Sequence, residues 1–215
     1  MFEGSEASNF VQSVDTAFLF TLIVSVFFLV LITTLMIVFV IKYNRKRNRK
    51  AENVHSNLAL EITWTVIPTI LVLIMFWFGW TGYKEISDIP EEGFNVKVTA
   101  QMWKWTFEYE NGIQKDTLYV PADKTVILTM HSLDVNHAFF VPAFKLKKDV
   151  YPGQQRKAWF VAKPGSYNIA CAEYCGLNHS YMYSKVIALP EEEFNEWYNR
   201  NSEPVGENKK DVIEQ

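Results

Sequence analysis

The densest chemistry in this chain lies in one stretch of twelve residues. Cys171-Ala172-Glu173-Tyr174-Cys175-Gly176-Leu177-Asn178-His179-Ser180-Tyr181-Met182 offers two thiols, an imidazole and a thioether. A second imidazole, His137, lies about 34 residues before Cys171. Thiolate, imidazole and thioether form a soft donor set, which suits copper. Glycine at position 176 lets the backbone turn sharply after the second thiol. A mononuclear blue-copper site uses one Cys, two His and an axial Met, so this chain has one thiol too many for it. Structural zinc could take His137, Cys171, Cys175 and His179, but Met182 would then have no role. A local Cys171–Cys175 disulfide is geometrically possible and leaves both histidines and the Met unexplained. Two coppers bridged by both sulfurs would use every group. The residues alone keep the disulfide and the metal-free state open.

The elements that must position these groups follow from hydropathy. Mean hydropathy is near zero over 215 residues, but residues 17–83 are apolar and the rest is mixed. Ala17 to Ile41 has no charge and is long enough to cross a hydrocarbon core of about 30 Å. Leu58 to about Tyr83 is a second such run, interrupted early by Glu61 and Pro68, with interfacial aromatics Trp77, Trp80 and Tyr83 at its far end. Between them, Lys42, Arg45, Lys46, Arg47, Arg49 and Lys50 form a basic cluster. The net charge of -3 and this placement argue for a membrane and against nucleic acid. The positive-inside rule places the loop 42–57 in the cytoplasm and both termini outside. Met1 to Thr16 carries no basic residue and lacks the positive region of a secretory signal.

After Tyr83 the pattern shortens. Six runs predict strands: 95–100, 102–109, 125–131, 156–162, 166–171 and 184–189. Asn111-Gly112, Pro152-Gly153 and Pro164-Gly165 supply turns between them. Short strands at this spacing predict a small β-sandwich or barrel over residues 84–200. Glu191 to Arg200 reads as a short amphipathic helix, and 201–215 as a polar tail. The expected organisation is an extracytoplasmic segment 1–16, a transmembrane hairpin 17–83, and an extracytoplasmic domain that carries the metal donors.

The motif Cys-x-Glu-x-Cys-x3-His-x2-Met, preceded by His131-Ser132-Leu133-Asp134-Val135-Asn136-His137, resembles subunit II of haem–copper cytochrome c oxidases. The resemblance extends to Leu60-Glu61-Ile62-Thr63-Trp64-Thr65-Val66-Ile67-Pro68 and Asp149-Val150-Tyr151-Pro152-Gly153. It implies a cupredoxin-like domain holding a dinuclear copper A centre. Cys171 and Cys175 bridge both coppers, His137 and Met182 complete one, and His179 with the backbone carbonyl of Glu173 completes the other. It further implies electron entry from cytochrome c at Trp103, acidic donor-docking positions at Glu108 and Asp134, and a Mg²⁺ ligand in the Glu173 carboxylate. Glu61 matches the mouth of a proton-uptake channel. Subunit I is the implied partner and holds the haems, the second copper centre and the oxygen chemistry. The implied location is a bacterial cytoplasmic membrane with the copper domain on the periplasmic side.

Residue by residue the reading is less uniform. On a regular strand Trp103, Trp105, Phe107 and Tyr109 share one face and could all be core aromatics; Trp105 reads as core. Met102 and Lys104 depart from the commonest family residues. His55 and His131 match no ligand role. A structural quinol-oxidase subunit II is disfavoured because all five side-chain ligands are present. A membrane-anchored copper carrier is disfavoured because it needs neither the Glu61 nor the Trp103 motif. Nitrous oxide reductase carries a similar loop without the hairpin. The sequence contains no Cys-x-x-Cys-His haem-attachment motif.

Overall fold

The computed structural model describes residues 7–46 and 56–202. Within them the chain divides into two units, one of residues 13–84 and one that joins the N-terminal residues up to 12 to residues 85 onward.

The first unit is the expected pair of helices. α1 (Val11–Lys42) and α2 (Leu58–Ser87) have 32 and 30 residues, about 48 and 45 Å at 1.5 Å per residue, more than a hydrocarbon core requires. Both are apolar all round, as helices are when no face meets water. Hydroxyls of α2 are satisfied inside the helix: Thr63, Thr65 and Thr69 donate to the carbonyls of Ala59, Glu61 and Thr65 at 2.7, 2.8 and 2.6 Å, so these three need no partner from lipid. Phe20 of α1 meets Phe78 of α2 at 5.3 Å between ring centroids. α1 begins six residues before the apolar run, because the hydrogen-bond ladder continues through Gln12, Ser13, Asp15 and Thr16 while hydropathy does not. Of the basic loop, Lys42, Arg45 and Lys46 are described. Residues 47–55 (with Arg47, Arg49, Lys50 and His55), 1–6, and 203–215 of the expected polar tail lie outside the described residues.

The second unit is a sandwich of two five-stranded sheets. One has the order β3 (Gln114–Lys115), β2 (Lys104–Tyr109), β1 (Phe94–Gln101), β5 (Thr125–Ser132), β8 (Arg156–Val161). The other runs β4 (Leu118–Pro121), β10 (Tyr183–Leu189), β9 (Gly165–Cys171), β6 (His137–Val141), β7 (Leu146–Val150). Period-two alternation buries Val96, Val98 and Ala100 of β1 and Trp105, Phe107 and Tyr109 of β2 in one shared core. Parallel pairings of β1 with β5 and of β4 with β10 interleave distant segments.

Four strands lie outside the six expected from alternation, the two-residue β3 among them. β6 is central and buried on nearly every residue, His137, Ala138, Phe139 and Val141 included, so it shows no polar–apolar rhythm. β7 is an edge strand carrying Lys147 and Lys148, residues that discourage strand addition. β4 is only four residues long.

The N-terminal segment forms part of this sandwich. Asn9 bonds β8 twice, its N–H donating to the Val161 carbonyl at 3.3 Å and its Oδ1 accepting from the Val161 N–H at 2.9 Å. Lys163 N–H donates to the Ala7 carbonyl at 3.0 Å. Phe10 is fully buried and meets Trp159 edge to face at 5.0 Å. The segment therefore covers the exposed edge of β8 and fills the space beside Trp159.

α3 (Glu191–Asn201) closes one end of the sandwich. Phe194, Trp197 and Tyr198 pack on Phe94, Tyr109 and Tyr119, with Trp197 stacked on Tyr119 at 4.4 Å.

Candidate metal centre

The soft donors converge at the other end. β6 pairs with β9 so that Phe139 faces Cys171. His137, two residues earlier, therefore points to the same face, diagonal to Cys171. The segment 172–182 is a loop closed at its base: Cys171 N–H donates to Met182 O at 3.1 Å, and Ala170 pairs with Tyr183. Inside it, His179 N–H donates to Gly176 O and Tyr181 N–H to Asn178 O, which folds both thiols back toward the histidines.

The resulting distances define one cluster. Ligand atoms of His137, Cys171 and Cys175 all lie within 4.8 Å of one another, and all three residues are buried. Cys171 Sγ is 3.7 Å from Cys175 Sγ. His137 Nδ1 is 3.8 Å from Cys171 Sγ, and His179 Nδ1 is 3.5 Å from Cys175 Sγ. The Glu173 carbonyl accepts from Cys171 Sγ at 3.2 Å, and Met182 Sδ lies 3.9 Å from Cys175 Sγ. Both cysteines are free thiols; their sulfurs are much farther apart than the ~2.05 Å of a disulfide. Burial, reinforced by the neighbouring Cys171 sulfur, pushes the Cys175 thiol up to about 12. Cys175 is thus disfavoured as a thiolate unless a soft cation is bound beside it. Two thiols, two imidazoles, a thioether and a carbonyl exceed what one tetrahedral ion takes, and they fit a soft pair of metals.

A carboxylate supports His137 from behind. Asp134 Oδ1 is 2.9 Å from His137 Nε2 and accepts from the Val135 N–H at 2.7 Å; Oδ2 accepts from the Met102 N–H at 2.7 Å. With Nε2 held, Nδ1 is the nitrogen presented to the sulfurs. Burial raises the Asp134 carboxyl, and the bonds from Met102, His137 and Val135 outweigh it, leaving the group at about 2. Asp134, read from sequence as a docking acid, is therefore occupied as an imidazole holder. The spacing Asp-x2-His was its only sequence signal. Trp105 closes the other side, edge-on to His137 at 6.1 Å between centroids, and is 2% exposed.

Trp103 stands apart from the strand aromatics. β1 and β2 pair Gln101 with Lys104, so Met102 and Trp103 form the tip of a two-residue hairpin, and the shared face expected for Trp103, Trp105, Phe107 and Tyr109 holds only from Trp105 onward. The Trp103 indole N–H donates to the Cys175 carbonyl at 3.2 Å. Its ring lies over Gly176, where a Cβ would come within 3.3 Å of Cζ2 and where φ is +116°. Gly176 thus serves both the turn and the close approach of the indole.

The remaining predicted residues lie elsewhere. Glu108 is on the outer face of β2, paired with Lys97 Nζ at 3.2 Å and accepting from Gln114 Nε2 at 3.2 Å. Glu61 is in the first turn of α2, its N–H donating to Asn57 O at 3.0 Å. The Glu173 side chain is exposed. His131 is half-buried on β5, outside the metal cluster.

Comparison with known proteins agrees with this geometry. Residues 2–79 match the transmembrane-domain model of cytochrome c oxidase subunit II, and residues 113–189 match its periplasmic-domain model. Cytochrome c oxidase subunit 2 of Alkalihalophilus pseudofirmus is 40% identical over 192 residues, covering 83% of this chain and 56% of that protein. The chain thus spans little more than half the length of that relative. The corresponding protein of Cereibacter sphaeroides is 28% identical, covering 83% of this chain and 72% of that one. Among solved structures, the periplasmic domain of subunit II of cytochrome oxidase from Bradyrhizobium japonicum aligns with a TM-score of 0.50 and 27% identity, covering 53% of this chain and 96% of that domain. The helix pair, the cupredoxin-like sandwich and the two matching models together mean that this chain belongs to the cytochrome c oxidase subunit II family.

Proposed function

We propose that this chain is the electron-entry subunit of a respiratory cytochrome c oxidase. The observation that carries the reading is the convergence of His137, Cys171, Cys175, His179, Met182 and the Glu173 carbonyl at one end of the sandwich. These groups would hold a dinuclear copper A centre, with Cys171 and Cys175 as its thiolate donors. Bound there, two coppers sharing one electron supply redox chemistry with little change of geometry. The protein's part is to fix the ligands, exclude water and carry the electron to the site. Asp134 and Trp105 fix His137. The Trp103 indole links the surface to the Cys175 backbone, the route by which an electron from cytochrome c enters. The partner, subunit I, would hold the haem that accepts the electron and would supply O2 reduction with proton pumping.

Topology supports the same reading. Residues 7–10 pair with β8 and lead directly into α1, while α2 leads back into β1. Both ends of the hairpin therefore connect in the chain to the sandwich unit, and Lys42, Arg45 and Lys46 belong to the segment that joins the two helices. By the positive-inside rule the sandwich is periplasmic, on a bacterial cytoplasmic membrane. The exposed Glu173 carboxylate is a hard oxygen donor suited to Mg²⁺ at the boundary with subunit I. Glu61, ionisable in the first turn of a membrane helix, is assigned to proton entry; unchanged proton pumping by Glu61→Ala in the assembled oxidase would contradict that role.

The test of the main reading is metal content and redox stoichiometry. The full chain, loaded with copper in detergent, is expected to hold two coppers and to take up one electron from reduced cytochrome c. A single bound ion, or none, overturns it.

A further inference from the structure

We infer that Ser132 is a positioning residue for the metal ligand His137, acting through Asp134. Its hydroxyl fixes the turn that brings the Asp134 carboxylate to His137 Nε2 and leaves Nδ1 to the metal. The inference rests on the copper reading above and adds the group that sets the orientation of one ligand.

The first observation is a polar residue where the strand calls for an apolar one. The inward positions of β5 are Val126, Leu128, Met130 and Ser132, and all four are buried. The first three join the apolar core. A hydroxyl in the fourth costs stability unless its hydrogen bonds are made. Burial alone therefore does not account for a serine here, and its bonds have to.

The second observation is where that hydroxyl is used. It donates its one proton to the Val135 carbonyl at 2.5 Å and accepts from the Asp134 N–H at 3.2 Å. These two bonds close residues 132–135 into a turn held by a side chain. Asp134 Oδ1 lies 3.3 Å from the same hydroxyl, accepts from the Val135 N–H at 2.7 Å and stands 2.9 Å from His137 Nε2. Every contact of the Ser132 side chain thus bears on the residue that holds the imidazole, or on its neighbour.

The third observation is that the anchor of the turn is itself held. Ser132 N–H donates to the Tyr151 carbonyl, in the turn after β7, at 3.2 Å. On its other side Ser132 pairs with Ala100 of β1, whose carbonyl accepts from the Leu133 N–H at 3.0 Å. The hydroxyl therefore ties a carboxylate two residues on to a backbone fixed from both sides. Without it, Asp134 keeps the bond from Met102 N–H at 2.7 Å but loses the one to its own N–H. His137 is fully buried, so no bulk water replaces the carboxylate at Nε2. A ligand histidine whose second nitrogen is poorly held binds its metal less tightly.

The experiment is a double-mutant cycle on the full chain in detergent. It is read by copper competition titration and, on the metal-free chain, by nitrogen-15 magnetic resonance of the labelled histidines near pH 8. Ser132→Ala is expected to lower copper affinity about tenfold. It is also expected to replace the single His137 ring form, with its proton on Nε2, by a mixture of the two tautomers. Ser132→Thr, which keeps the hydroxyl, is expected to restore both properties. In an Asp134→Asn background, Ser132→Ala is expected to lower affinity by less than about twofold more, since its effect runs through that carboxylate. If Ser132→Ala fails to fold, Ser132→Cys, close in size and a weak donor, takes its place in the same cycle. Losses that add in the double variant, or an unchanged affinity with unchanged His137 signals, overturn the positioning inference alone and leave Ser132 as the end of a strand. A wild-type chain that holds no copper pair overturns the reading beneath it, and the metal-free histidine signals then still decide whether Ser132 orients the ring.

Discussion

The two ends of the sandwich are built on opposite principles, and strand β2 touches both. At one end Tyr109 packs against Trp197 and exchanges hydrogen bonds with Tyr119, donating its hydroxyl to the carbonyl at 3.1 Å and accepting from the N–H at 2.7 Å. Burial raises that hydroxyl well above the ordinary tyrosine range, so it stays neutral and fully partnered. At the other end Trp105 packs against His137, and behind it lie two thiols, two imidazoles and a thioether whose best mutual contacts are 3.5 to 3.9 Å. The aromatic end is complete within the chain. The metal end is held in position by its neighbours but is left chemically unsaturated. Stability is concentrated where the side chains need no partner, and function where they do.

This contrast predicts that the two ends fail separately. The largest effect is expected from Cys175→Ser: loss of the bridge removes the dinuclear copper spectrum outright, with little change in the unfolding temperature of the metal-free chain, followed by absorption and circular dichroism. Phe194→Ala at the aromatic end is the converse case. Phe194 meets Phe94 at 5.0 Å and Trp197 and Tyr198 at 5.7 Å, so its truncation should cost about 3–5 kcal/mol of stability while folded protein keeps its copper spectrum. If either variant reproduces the other's phenotype, the two ends are not independent.

A smaller effect sharpens the boundary of the metal end. Asp134→Asn removes the charge that holds His137 Nε2, and should weaken copper binding about 10- to 100-fold by competition titration. An unchanged affinity would return Asp134 to the surface role expected from sequence. The mildest effect is pH-dependent. Cys175 sits at about 12 in the metal-free fold against an ordinary 9.0, so its protonation stabilises the empty form below pH 9, and that contribution is lost as pH rises toward 12. Copper uptake has the opposite sign, since each thiol must release a proton: apparent affinity should rise about tenfold per pH unit for each thiol deprotonated, from pH 6 upward. A pH-independent affinity would mean that the thiols do not ligate.

What was legible in the sequence follows the same division. The donors of the metal loop were visible because Cys, His and Met are chemically rare and stood within one short segment. The membrane helices were visible because hydrocarbon demands a long unbroken apolar run. Trp103 was not separable from Trp105 by periodicity, since the hairpin tip that sets it apart depends on Gln101 pairing with Lys104. Asp134 looked like any surface acid because its partners, Met102 N–H and His137, are brought to it by folding. β6 was obscured because a central strand is buried on both faces. Phe10 gave no signal, since its pocket beside Trp159 is assembled from residues far along the chain. For this reason the full chain, rather than a fragment beginning near Asp88, is the proper material for each measurement.

The most direct test of the central claim is electron paramagnetic resonance of the copper-loaded full chain. One unpaired electron shared over two equivalent coppers bridged by Cys171 and Cys175 predicts a seven-line hyperfine pattern. A four-line pattern from a single copper, or a silent zinc-loaded or disulfide-bonded protein, would contradict it.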